Sequence, residues 1–193
     1  MIVEQLLELL KKERESSEIQ RAIMEIGKNL LLFDINIEGQ IIRPVWIEAY
    51  FKNDFFDCGA IHDSEYQSES GVIYNHTKCY GGVDICFGCS NYRLSFLLKG
   101  TIINNKIHKQ IETKDSIINN QSGTPFSLEK TNRAINNCGA TTRIFSGLKE
   151  IKKSCQYNFA FFYSEDNGLR EHIINNKSNS YSKFSRFIKA YQH

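Results

Sequence analysis

Phe33, Ile35 and Ile37 alternate with Asp34, Asn36 and Glu38, and beyond Gly39 the chain runs on in extended style from Ile41 to Tyr50. A period of two puts apolar side chains on one face of a strand and polar ones on the other. A glycine between two such runs signals a hairpin, so the chain is committed early to a sheet. Gly71 opens a second β region with candidate strands at Val72 to His76, Val83 to Phe87 and Leu94 to Ile103, separated by Gly-rich or polar turns. Ahead of the hairpin, Val3, Leu6, Leu7, Leu10, Ile19, Ala22, Ile23 and Ile26 recur at helical spacing with a break near Ser16-Ser17, which predicts two helices. Residues 51–70 and 104–125 are polar and read as loops. Ser127 to Ile135 reads as a short helix with Ser127 as N-cap and Lys130 and Arg133 exposed. Asn158 to Tyr163 reads as a last, aromatic strand, followed by a basic tail from Leu169.

Together these elements predict one α+β domain over 1–193, a curved and mainly antiparallel sheet with flanking helices. The helices occupy 1–32, the sheet that carries the site 33–103, and a basic carboxyl half 126–193. The 193 residues, 41% hydrophobic and 12% aromatic, suffice for a single core, and two prolines leave no Pro-rich linker. Net charge is +2, but 7 Lys and Arg against 12 Asp and Glu in residues 1–63 give −5, leaving +7 over 64–193. That segregation suits a protein that meets a polyanion with one side. No stretch approaches the apolar length of a bilayer span, and Met1 to Leu10 lacks the regions of a secretory signal. A cytoplasmic, nucleoid-associated monomer with no membrane partner is therefore expected, its cysteines reduced.

Read as a strand, Trp46-Ile47-Glu48-Ala49-Tyr50 places Trp46, Glu48 and Tyr50 on one face. An acid between two rings at period two is either an edge residue facing water or a group held for chemistry. Tyr74 and His76 share a face of the next candidate strand, and His62 lies in the loop between the two. The order Glu48-Ala49-Tyr50, His62, Gly71-Val72-Ile73-Tyr74-Asn75-His76, Tyr80-Gly81, Asp84 and Leu97-Leu98-Lys99 resembles the alkyladenine (3-methyladenine) DNA glycosylases over about residues 28–100. A fainter echo occurs at Thr141-Thr142-Arg143-Ile144.

The resemblance implies an alkyladenine-DNA-glycosylase-like fold and a monofunctional hydrolase acting in base excision. It flips a damaged or modified base out of DNA, most simply a duplex, and cuts the bond from base to sugar. Glu48 is the catalytic residue that activates water; Tyr50, Tyr74, His76 and Asp84 hold the base; His62, Tyr80, Lys99 and Arg143 contact DNA, with Tyr80 wedged into the gap in the stack. Four departures touch the pocket or its rim. The Tyr50 to His62 interval is long, His76 replaces a second stacking tyrosine, Asp84 stands for the usual asparagine, and Lys99 stands for an arginine. They point to a differently shaped base, such as a hypermodified phage cytosine, and hence to defence against phage as well as DNA repair. No cofactor is implied, because neither a nucleotide-binding glycine loop nor a serine nucleophile motif is present. No lysine lies beside the pocket residues in sequence, so a Schiff-base lyase step is not expected.

Two other readings use the same residues. Cys86-Phe87-Gly88-Cys89 is half of a zinc site that Cys58 and His62 can complete, giving a zinc-stabilised nucleic-acid-binding module without catalysis. The basic carboxyl half alone supports salt-sensitive nucleic-acid binding with no product.

Overall fold

At Glu38-Gly39 both residues have positive φ, 49° and 89°, as a type I′ turn requires. The Gly39 N–H donates to Asn36 Oδ1 at 2.8 Å. This turn joins β1 (Phe33–Ile37) to β2 (Gln40–Lys52), which pair antiparallel from Ile37–Gln40 to Ile35–Ile42. The structure is a computed structural model that describes residues 5, 7–8, 15–53, 64–76, 81–141, 159–175 and 180–191.

Seven further strands join the hairpin: β3 (Ser70–Asn75), β4 (Val83–Phe87), β5 (Arg93–Ile103), β6 (Lys106–Lys109), β7 (Ser127–Lys130), β8 (Cys138–Thr141) and β9 (Ala160–Tyr163). They form a curled antiparallel sheet whose main path runs β3-β4-β5-β2-β1-β7. β6 pairs with the far end of β5, and β9, carrying β8, pairs with β2 at Trp46 to Glu48. β2 is thus a central strand. Two bulges interrupt its pairing with β5: Val45 is the extra residue on β2 and Lys99 the extra residue on β5. Pro44 adjoins the first, where a missing N–H is tolerated and the strand can bend.

The sheet is covered on both faces. The main core gathers Ile47, Ala49, Phe51, Ile85, Phe96 and Phe161 under α1 (Ser16–Leu30), whose Ile19, Ile23 and Ile26 are fully buried. A Cβ on Gly27 would lie 2.3 Å from the Phe161 ring, so the helix rests directly on β9. On the opposite face Trp46 and Phe162 pack under α4 (Ser180–Tyr191), with ring centroids from Trp46 to Phe162, Phe184 and Phe187 at 5.4, 5.3 and 5.2 Å. Each such burial stabilises by about 1.5–3 kcal/mol. α3 (Asn167–Asn175) adds Ile173 to this second cluster.

Two expectations fail. The stretch 104–125, expected as loop, carries β6 and α2 (Gln110–Ser116). Helix α2 buries Thr113, hydrogen-bonded at 2.8 Å to Thr101, while Ile111 is exposed, so it lacks the apolar stripe that would announce a helix. The expected helix at Ser127 to Ile135 is instead strand β7, paired with β1 from Phe33–Lys130 to Asn36–Ser127, and then a 3-10 turn at Ile135–Asn137. An unfilled edge of β1 outweighs the helical preference of Leu-Glu-Lys, and Ser127 caps nothing. Lys130 is exposed, but Arg133 is half-buried: it donates to the carbonyls of Leu31 and Pro44 at 2.9 and 2.6 Å and lies over the Tyr163 ring. The first of the two expected amino-terminal helices falls mostly outside the described residues; the second is α1, beginning at Ser16.

Candidate active site

Residues directly opposite each other in an antiparallel sheet point to one face. By that rule Tyr74, Asp84, Leu97, Glu48, Ala160 and Thr141 form a single transverse row across β3, β4, β5, β2, β9 and β8. The adjoining row holds Cys86, Ser95 and Tyr50. The second apolar cluster under α4 continues this face, so one sheet surface is apolar at Trp46 and polar from Glu48 onward.

Glu48 is 0% exposed, which overturns the reading of a solvated edge glutamate. The Tyr50 hydroxyl donates to Glu48 Oε2 at 3.0 Å, so Tyr50 orients the carboxyl as well as walling it. Leu97 and Ala160 flank Glu48 on the neighbouring strands, and both are buried. An acid so surrounded is costly unless hydrogen-bonded.

Asp84 is the centre of a buried network. Its Oδ2 accepts from Ser95 Oγ at 2.7 Å and from Gln67 Nε2 at 3.2 Å, and its Oδ1 meets His76 Nε2 at 3.0 Å. A carboxylate only accepts, so His76 carries a proton on Nε2. Asp84 therefore positions His76. The backbone of His76 is also held: its N–H donates to Gly82 O at 3.0 Å, and its carbonyl accepts from Lys114 Nζ at 2.5 Å. The rings of Tyr66, Tyr74 and His76 follow one another, with centroids 6.3 Å apart and nearly parallel in the first pair and 4.5 Å apart and tilted in the second. Burial, and then the Asp84 charge, raises the Tyr74 hydroxyl above its ordinary pKa.

Gln67 comes from the 3-10 turn Glu65–Ser68, which is closed by a capping box between Ser64 and Gln67. The turn lies against the end of β4 because residue 88 is glycine: a Cβ there would fall 1.9 Å from the Gln67 carbonyl oxygen. Tyr66, Gln67 and Ser95 went unnoticed in the sequence, since nothing local ties 67 to 84 and 95; register alone brings them together.

Lys99, half-exposed at its bulge, sits on β5 at the rim of the polar region. His62, Tyr80, Arg143 and Cys58 lie outside the described residues. Cys86 is buried on the Asp84 face of β4, and burial pushes its thiol up, whereas Cys89 pairs with Tyr92 and packs on the opposite, main core. Among the described residues no group of three or more His, Cys, Asp or Glu side chains is placed to hold a metal ion. No helix among them is long and apolar enough to cross a membrane. A surface groove of about 670 Å³ beside Gln40, Arg43 and Asn104 lies at the opposite end of β2 and shares no residue with the polar rows. No protein-family model matches the chain, and no curated protein matches it.

Proposed function

We propose that the chain is a DNA glycosylase of alkyladenine-glycosylase-like fold that removes a bulky modified base by hydrolysis, leaving an abasic site. The observation that carries this reading is the buried Glu48 carboxyl, held by Tyr50 on the same sheet face as the Tyr74 and His76 rings. Extruding a nucleotide costs a few kcal/mol. Stacking between Tyr50 on one side and His76 and Tyr74 on the other returns about 1–3 kcal/mol per contact.

Glu48 takes a proton from water as the oxygen attacks C1′, and the bond electrons leave with the base. The same carboxylate stabilises the positive charge that develops on the sugar ring. Because Glu48 has no exposed surface, the flipped nucleotide has to displace its cover, which keeps bulk water off the carboxyl between turnovers. Asp84, tied to His76, Ser95 and Gln67, fixes the ring that faces the base. Lys99 at the rim suits a phosphate.

His76 in place of a tyrosine and the polar network behind it favour a base with polar substituents, as in hypermodified phage cytosine, and hence a defence role. The test is incubation of the protein with modified and unmodified phage DNA, followed by alkali. Strand breaks at modified bases are expected; no breaks in either DNA overturns the proposal.

A further inference from the structure

Helix α4 brings one amine to the row that holds Glu48. Lys183 is 7% exposed, and its Nζ donates to Thr141 Oγ1 at 2.9 Å. Thr141 pairs with Ala160, and Ala160 with Glu48, so the three share one face. Two strand spacings separate Glu48 from Thr141, about 10 Å between backbones. The residue between them is alanine, the smallest side chain in the row, and it is fully buried. Among the described residues no carboxylate forms an ion pair with Lys183, and burial lowers its pKa, favouring the neutral, nucleophilic amine.

We propose that Lys183 gives this protein a second, lyase activity, in which its amine condenses with the aldehyde of an abasic sugar and the strand is cut by β-elimination. The inference rests on the glycosylase reading for the place of the sugar. The neutral amine attacks C1′ of the open-chain aldehyde, the C1′ oxygen leaves as water, and a C1′=N iminium forms. A base, which the Glu48 carboxylate can supply, removes a proton from C2′. The C2′–H electrons form the C2′=C3′ bond and the C3′–O bond breaks, expelling the 3′ phosphate. Water then hydrolyses the iminium and returns the amine. No electron is gained or lost overall.

The experiment uses a duplex whose abasic site is made beforehand by uracil excision, so that it does not depend on base release by this protein. Sodium borohydride is added during incubation with the full chain, and peptide mass spectrometry locates the reduced adduct. A covalent adduct at Lys183 is expected, together with a nick ending in an unsaturated aldehyde. Both are lost in Lys183→Arg, which keeps the cation, and in Lys183→Met, with circular dichroism melts reporting the fold of each. The adduct site on the wild-type chain needs no variant, so it decides the matter even if both variants unfold. No adduct, or one at another lysine, overturns the lyase inference while leaving base release intact. An adduct at Lys183 with no base released from any DNA overturns the hydrolytic reading instead.

Discussion

On one face of β2, Ile47, Ala49 and Phe51 pack into the apolar core that α1 covers; on the other, Trp46, Glu48 and Tyr50 pass from an aromatic cluster to a hydrogen-bonded acid. Glu48 is as dry as Ile47 and Ala49 beside it, so burial does not distinguish them. What differs is the consequence of a change. A lost methyl on the core face costs packing, whereas a lost polar atom on the other face strands a partner or removes chemistry. A buried acid contributes little that an apolar residue would not contribute better, and its presence points to work other than stability.

The largest expected effect breaks that symmetry at adjacent residues. Glu48→Gln, which preserves shape, lowers the rate of base release by about 10²–10⁴-fold with DNA binding retained in gel-shift titration. If release is unchanged, Glu48 has no part in the chemistry. Phe161→Ala, on the core face, is expected to cost about 3–5 kcal/mol in denaturant unfolding. Activity per folded molecule is retained there, the inverse of the Glu48 outcome.

Asp84→Ala leaves His76, Ser95 and Gln67 without their buried acceptor and is expected to cost roughly 1–3 kcal/mol. It also raises KM for the modified base through a displaced His76. Equal stability and KM would show that the network neither holds the ring nor depends on Asp84. Gly88→Ala drives a Cβ into the Gln67 carbonyl and costs roughly 1–3 kcal/mol by overpacking. A neutral outcome would mean that the 65–68 turn is not held against β4.

The smallest effect concerns thiols. Burial pushes Cys138 up to about 11 and raises Cys86 further, so both are expected to alkylate slowly at neutral pH in the native state and rapidly in denaturant. Fast native labelling of Cys86 would contradict the buried polar face. Metal analysis sharpens the same point: one zinc per purified chain would favour the binding module built on Cys86 and Cys89.

The signals that were readable in the sequence are local ones. Alternation and Gly39 place the β1–β2 hairpin, and β4 spans Val83–Phe87 as expected. Period two places Glu48 with Tyr50, and motif order adds Tyr74, His76 and Asp84. Helix α2 is hidden because its buried residue is a threonine, and β7 because its pairing with β1 spans a long stretch of chain. The β5–β6 hairpin went unread: its two-residue turn at Asn104 and Asn105, both at positive φ, lies in a polar stretch that reads as loop. Gln67, Ser95 and Lys183 reach the site only through strand register and helix docking, for which a single sequence carries no mark.

The most direct test of the account is the identity of the molecule released. Mass spectrometry of the small-molecule fraction after incubation with DNA bearing a bulky modified cytosine should find the free base, one per abasic site formed, from the wild type and far less from Glu48→Gln. Release of a nucleoside or nucleotide, or equal release of base by Glu48→Gln, would contradict a Glu48-driven cleavage of the bond between base and sugar.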